Sequence, residues 1–216
     1  MKKTALILSA ALMFSGSLFA GENRTYEVTI TNVTKGQIFT PVLAATHKSD
    51  IAFFEAGMPA LPQLELLAED GNIEPLSDLL LSVPELVQDT ADTGPIMPGA
   101  SVTFTISGSN QYNRLSFAAM MLPTNDSFVA LNSVYLPRNE RTETAIAYDA
   151  GTEYNDELCV SIPGPPGAFC EGANMPDDSG EGYVHVANGV HGIGDTIPML
   201  HDWRSPVAKV TVRRIK

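Results

Sequence analysis

The chain has 216 residues, with 25 Asp and Glu against 13 Lys and Arg and a formal net charge of −12. Such a surface repels nucleic acid and anionic membrane and attracts cations. It excludes a nucleic-acid partner, but acidity also keeps an exported protein soluble and proves no metal site by itself. The length fits one large β domain better than two small ones.

Lys2 and Lys3, an apolar run over residues 4–14 and small residues over 15–20 read as a secretory signal peptide, 1–20, too short for a membrane span. Cleavage is expected after Ala20, although Leu18 is a less suitable −3 residue than Ala. Losing Lys2 and Lys3 takes the basic count from 13 to 11 and the net charge from −12 to −14. No later segment is long and apolar enough to cross a bilayer, and no cysteine near the cut invites a lipid. The leader looks bacterial, so the mature domain, 21–216, is expected in the periplasm or secreted.

Period-two alternation then marks strands, each with one buried and one wet face. Tyr26, Val28 and Ile30 alternate with polar residues, as do Val102, Phe104 and Ile106. Leu115, Phe117 and Ala119 begin a run that turns wholly apolar to Leu122; residues 128–136 and 208–213 follow the strand pattern. His47 closes a strand-like run and reads as a structural histidine. One region breaks the pattern. Leu61, Leu64, Leu67 and Ala68 sit at helical spacing before Gly71, and Pro75 opens a second short helix carrying Leu76, Leu79 and Leu80. Residues 88–99 read as a loop. The sum is an all-β antiparallel sandwich with short helices inserted around 60–82.

Two turns carry candidate chemistry. Asp126 lies in PTNDSF (123–128), and Asp149 and Glu153 lie in YDAGTE (148–153). Carboxylates beside Gly, Asn and Ser supply the mixed oxygen ligands that hard cations such as Ca²⁺ take. Ordinary Asx turns would use the same residues without an ion. Asp156 and Glu157 read as solvated surface. Cys159 and Cys170 flank a Pro/Gly-rich segment; a disulfide fits an exported chain, while free thiols or two soft metal ligands are the rivals. The tail holds His185, His191, His201, Asp202, Trp203 and Arg204 in glycine-rich sequence. These are parts of a zinc or general-base site, of a polar ligand loop, or simply of turn hydrogen bonds. No nucleophile elbow accompanies them.

The order of several runs resembles the spondin domain: PVLAATH (41–47), FEAG (54–57), LAEDG (67–71), FVALNSV (128–134), YDAGTE (148–153) and SPVAKVTV (205–212). The closest similarity is to bacterial single-domain spondin proteins. The resemblance implies an eight-stranded, C2-like sandwich with Ca²⁺ held by loops at one end. It maps the family's acidic positions onto Asp126, Asn132, Asp149 and Glu153. Asn132 and Glu153 depart from the family's Asp; the first removes a charge and the second lengthens the reach.

The expected function is an exported, non-enzymatic binding or adhesion module, monomeric, with a structural Ca²⁺ and an extracellular or cell-surface protein or glycan as partner. The alternative is an exported metal-dependent hydrolase using His185, His191, His201 and Asp202.

Overall fold

The computed structural model describes residues 23–173 and 179–216; the expected signal peptide lies outside them. Antiparallel strands run in the order β4 (Val87–Asp92), β3 (Leu43–His47), β6 (Arg114–Leu122), β7 (Ser127–Tyr135), β8 (Glu140–Asp149), β10 (Ala208–Arg214), β1 (Arg24–Asn32), β5 (Ser101–Gly108). This is the expected eight-strand path. Two short strands join it: β2 (Ile38–Phe39) pairs with β6, and β9 (His185–Val186) pairs with β8. The two ends meet. Ser107 N–H donates to Asp89 Oδ2 at 2.7 Å, and Thr46 Oγ1 donates to Ser107 C=O at 2.5 Å. The sheet thereby curls into a nearly closed, sandwich-like barrel.

The alternation explains the layers. Tyr26, Val28 and Ile30 of β1 face an inner core with Val210 and Val212 of β10, Phe117 of β6 and Trp203, while their polar neighbours stay outside. The central strands β3, β6 and β7 are covered on both faces. In β6, Phe117 and Ala119 point inward, and Ala118 joins a second core with Leu43, Phe128 and the helices. That double burial is why β6 reads as continuously apolar rather than alternating. Each fully buried Phe here contributes about 1.5–3 kcal/mol.

The second core is roofed by α1 (Pro62–Asp70) and α2 (Glu74–Leu81), which insert Leu64, Leu67, Leu76 and Leu80. Each starts with Pro in its first turn, where no N–H is required. Gly71 ends α1 in the left-handed region, φ 66°, and a Cβ there would lie 2.7 Å from the Thr40 methyl. The end of α1 is thereby pinned against Thr40.

One segment differs from expectation. Part of the 88–99 loop is strand β4, paired with β3 in the register Ala45↔Thr90. It is held by backbone bonds, and of its residues only Val87 is buried, so its apolar pattern is too weak to register in sequence. Cys159 and Cys170 form the disulfide, Cα–Cα 4.7 Å. It closes the Pro/Gly loop and contributes about 3 kcal/mol or less.

Candidate metal centre

Strand pairing assembles the site. β7 and β8 run antiparallel with Ser127 opposite Asp149, so the residue before β7 and the last residue of β8 share one end of the barrel. Ala150 N–H donates to Asp126 C=O at 3.2 Å, tying the two turns together. The turn after β8 then wraps Asp126: its Oδ2 accepts from Thr152 N–H at 2.9 Å, Glu153 N–H at 3.2 Å and Thr152 Oγ1 at 3.3 Å. Asp149 accepts from Gly151 N–H at 2.9 Å through Oδ1 and from the Asn155 amide at 3.0 Å through Oδ2. Gly151 has φ 68°, and a Cβ on it would meet Tyr183 C=O at 2.3 Å, so only glycine lets residues 180–184 lie across this turn. That crossing delivers Glu181 and His185. His185 pairs with Asp149 in the β8–β9 register.

The carboxylates are not all satisfied. Asp126 is fully buried, yet its Oδ1 has no hydrogen-bond partner; Glu153 is 3% exposed, and neither of its carboxylate oxygens has one. Burial first, and then the Asp149 and Glu181 charges, push the Asp126 carboxyl up to about 7 despite the N–H groups of Thr152 and Glu153. Burial, followed by Glu69, Asp126, Asp156 and Asp70, pushes Glu153 up to about 8. Burial also raises Asp149, against opposing help from His185, Gly151 and Asn155. Crowded carboxylates without donors are costly when ionised. A proton or a cation removes that cost, and three oxygens lacking partners suit a hard cation.

Asp126 and Asp149 share one end of the barrel, and Glu153 lies in the turn that wraps Asp126, but among the described residues these three do not form a group close enough to share one ion. Asn132 does not join them. It lies six residues along from Asp126, about 20 Å on an extended strand. Its amide is engaged elsewhere: Oδ1 accepts from Phe53 N–H at 2.9 Å and Nδ2 donates to Phe54 C=O at 2.6 Å. Asn132 pins the 53–54 loop, and its expected place in the metal site is corrected.

The tail cluster disperses. His185 Nε2 lies 3.4 Å from Asp149 and 3.5 Å from Glu181. His191 lies beside Glu157, 3.5 Å from its carboxylate. His201 packs on Phe169 and accepts from Ile197 N–H at 3.1 Å. These histidines share no centre of the kind the hydrolase alternative requires. Trp203 is core, and Arg204 bonds to Asp202 and to Trp203 C=O. His191, Asp202, Trp203 and Arg204 do line one shallow cleft of about 310 Å³.

Two residues escaped the sequence reading. Glu181 was hidden between Gly180 and Gly182, whose close approach to the acidic turn has no local signature. Glu157, expected on the surface, is 6% exposed and accepts from His191, Gly192 and Ile193 N–H and from Thr196 Oγ1. Burial alone would raise its carboxyl, but those donors hold it below the ordinary value. Among the described residues, the group of three or more His, Cys, Asp or Glu close enough to hold one ion is Asp149, Glu181 and His185.

The spondin N-terminal domain (Spondin_N) matches residues 24–156, which takes in both acidic turns and ends before Glu181, His185 and β10. Domains of this family are typically extracellular and generally non-catalytic. No curated protein matches the chain. Among the described residues, no helix is long and apolar enough to cross a membrane.

Proposed function

Because the chain belongs to the spondin N-terminal domain family, we propose that it is an exported, non-enzymatic binding or adhesion module whose loop end is braced by Ca²⁺. Asp126, Asp149 and Glu153 would hold the ion, drawn closer together around it than they stand here. The observation that carries this reading is the set of buried carboxylate oxygens on Asp126 and Glu153 that no donor reaches. Bound Ca²⁺ would supply positive charge to the Asp126 and Glu153 oxygens that no donor reaches. The rest of the work is done by protein groups: the Thr152 and Glu153 N–H groups hold Asp126, and Asn155 and Gly151 hold Asp149. A rigid, charge-neutralised loop end then presents its rim to an extracellular protein or glycan, and the protein works as a monomer.

The test is thermal unfolding of chelator-stripped protein with and without Ca²⁺. Exported modules bind Ca²⁺ at about 10⁻⁴–10⁻³ M. Ca²⁺ at about 10 mM then adds about 1.4–2.7 kcal/mol, or about 3–10 °C for a chain of this size. Asp149→Ala should abolish the gain. An unchanged melting temperature in the wild type would refute the site.

A further inference from the structure

We propose a second cation position, distinct from the Ca²⁺ position but sharing Asp149 with it: Asp149 Oδ1, Glu181 Oε2 and His185 Nε2 form a mixed nitrogen–oxygen site for a first-row transition-metal ion of the Zn²⁺ class.

The argument begins with the imidazole tautomer. His185 Nδ1 lies 3.0 Å from Val186 C=O. A carbonyl can only accept, so Nδ1 carries the hydrogen and the neutral ring presents its lone pair at Nε2, the arrangement seen in metal-ligating histidines. Nε2 is shielded from solvent and has no hydrogen-bond partner. It faces Asp149 Oδ1 at 3.4 Å and Glu181 Oε2 at 3.5 Å, both beyond hydrogen-bond length. With the ring neutral, three lone-pair atoms converge with no donor among them.

The spacing selects the class of ion. A tetrahedral ion with bonds of about 2.0–2.1 Å keeps its ligand atoms about 3.4 Å apart. The imidazole disfavours Ca²⁺ and Mg²⁺, which take oxygen, and suits Zn²⁺, Co²⁺ or Ni²⁺. The scaffold behind the ligands is fixed. Gly151 N–H and the Asn155 amide hold Asp149. Gly182 N–H donates to Gly151 C=O at 2.8 Å, and a Cβ on Gly180 would lie 2.4 Å from that same oxygen. Residues 180–185 are thus laid in one path across the acidic turn. The Glu181 side chain is 40% exposed and that of His185 19%, so one side of the position is open to an incoming hydrated ion. The competing occupant is a proton, which would make the ring an imidazolium between two carboxylates.

Metal titration separates the two. Chelator-stripped protein is titrated with Co²⁺, followed by its visible ligand-field absorption, and with Zn²⁺ by calorimetry. The expected result is saturable binding of one equivalent with a tetrahedral Co²⁺ spectrum. His185→Gln should weaken both metals by about 100-fold or more, the upper end of what losing even an outer-sphere partner costs. Glu181→Gln, on a partly exposed side chain, is read in parallel should His185→Gln fail to fold. Absence of saturable Co²⁺ and Zn²⁺ binding in the wild type, or binding that both variants retain at full strength, overturns the proposal. Transition-metal binding without any Ca²⁺ gain would refute the Ca²⁺ reading alone; a Ca²⁺ gain without transition-metal binding would refute this one alone.

Discussion

Glu153 and Glu157 stand four residues apart, and both are almost fully buried, at 3% and 6% exposure. Their surroundings are opposite. Glu157 gathers the N–H groups of His191, Gly192 and Ile193 and the Thr196 hydroxyl, and its carboxyl is lowered despite burial. Glu153 gathers no donor on either oxygen, faces Glu69, Asp126 and Asp156, and is raised to about 8. Burial therefore does not distinguish a structural carboxylate from a ligand-binding one; the count of donors does. Glu157 is a knot that shapes the 189–196 loop. Glu153 is a charge the fold leaves uncompensated, which is the sense of the proposed cation.

The largest effect should come from cutting the knot. Glu157→Ala leaves three part-buried N–H groups and the buried Thr196 hydroxyl without their acceptor, at about 1–3 kcal/mol each where water does not enter. The expected loss is about 3 kcal/mol or more by urea unfolding; a loss near zero would break the contrast. Glu153→Gln should act in the reverse direction. Removing an uncompensated charge raises the stability of metal-free protein by about 1–2 kcal/mol at pH 8 and abolishes the Ca²⁺ gain. A destabilised apo variant that still answers Ca²⁺ would contradict the account.

Asn132→Ala gives the sharpest control, with no expected effect on the Ca²⁺ response. It unties the Phe53 and Phe54 backbone groups and should cost about 1–2 kcal/mol. Because Asn132 sits far along β7, the rise in melting temperature with Ca²⁺ should survive intact. Loss of that rise would return Asn132 to the site.

Much of this was legible in sequence because it follows from local pattern. The alternation in β1, β5 and β10 exists because one face of each is wet, and the Pro and Gly marks around α1 and α2 exist because helix ends demand them. The acidic turns are readable because Asp126 and Asp149 flank strands that pair. What was not legible depends on distant partners. β4 is held by backbone bonds to β3, which leave no side-chain trace. Asn132 looked like a ligand by its place in a motif, but Phe53 and Phe54, nearly eighty residues earlier, claim both ends of its amide. Glu181 and His185 reach the site only because glycines let residues 180–184 cross the turn at contact distance, and Glu157 looked exposed because its donors arrive from a loop some 35 residues downstream.

The central claim is tested most directly by following stability against pH with and without Ca²⁺. In metal-free protein the Asp126 and Glu153 carboxyls, at about 7 and about 8, keep protons that the unfolded chain has already released. The native state then binds more protons than the unfolded state between about pH 4 and 8, so stability falls as pH rises through that window. Below it, loss of the Glu157 contribution, whose carboxyl is lowered, destabilises the protein again. The account predicts an apo optimum at or below about pH 4, and a Ca²⁺ gain that is large at pH 8.5 and nearly absent at pH 5. An apo stability that climbs from pH 5 to 8.5, or a Ca²⁺ gain equal at both values, would contradict it.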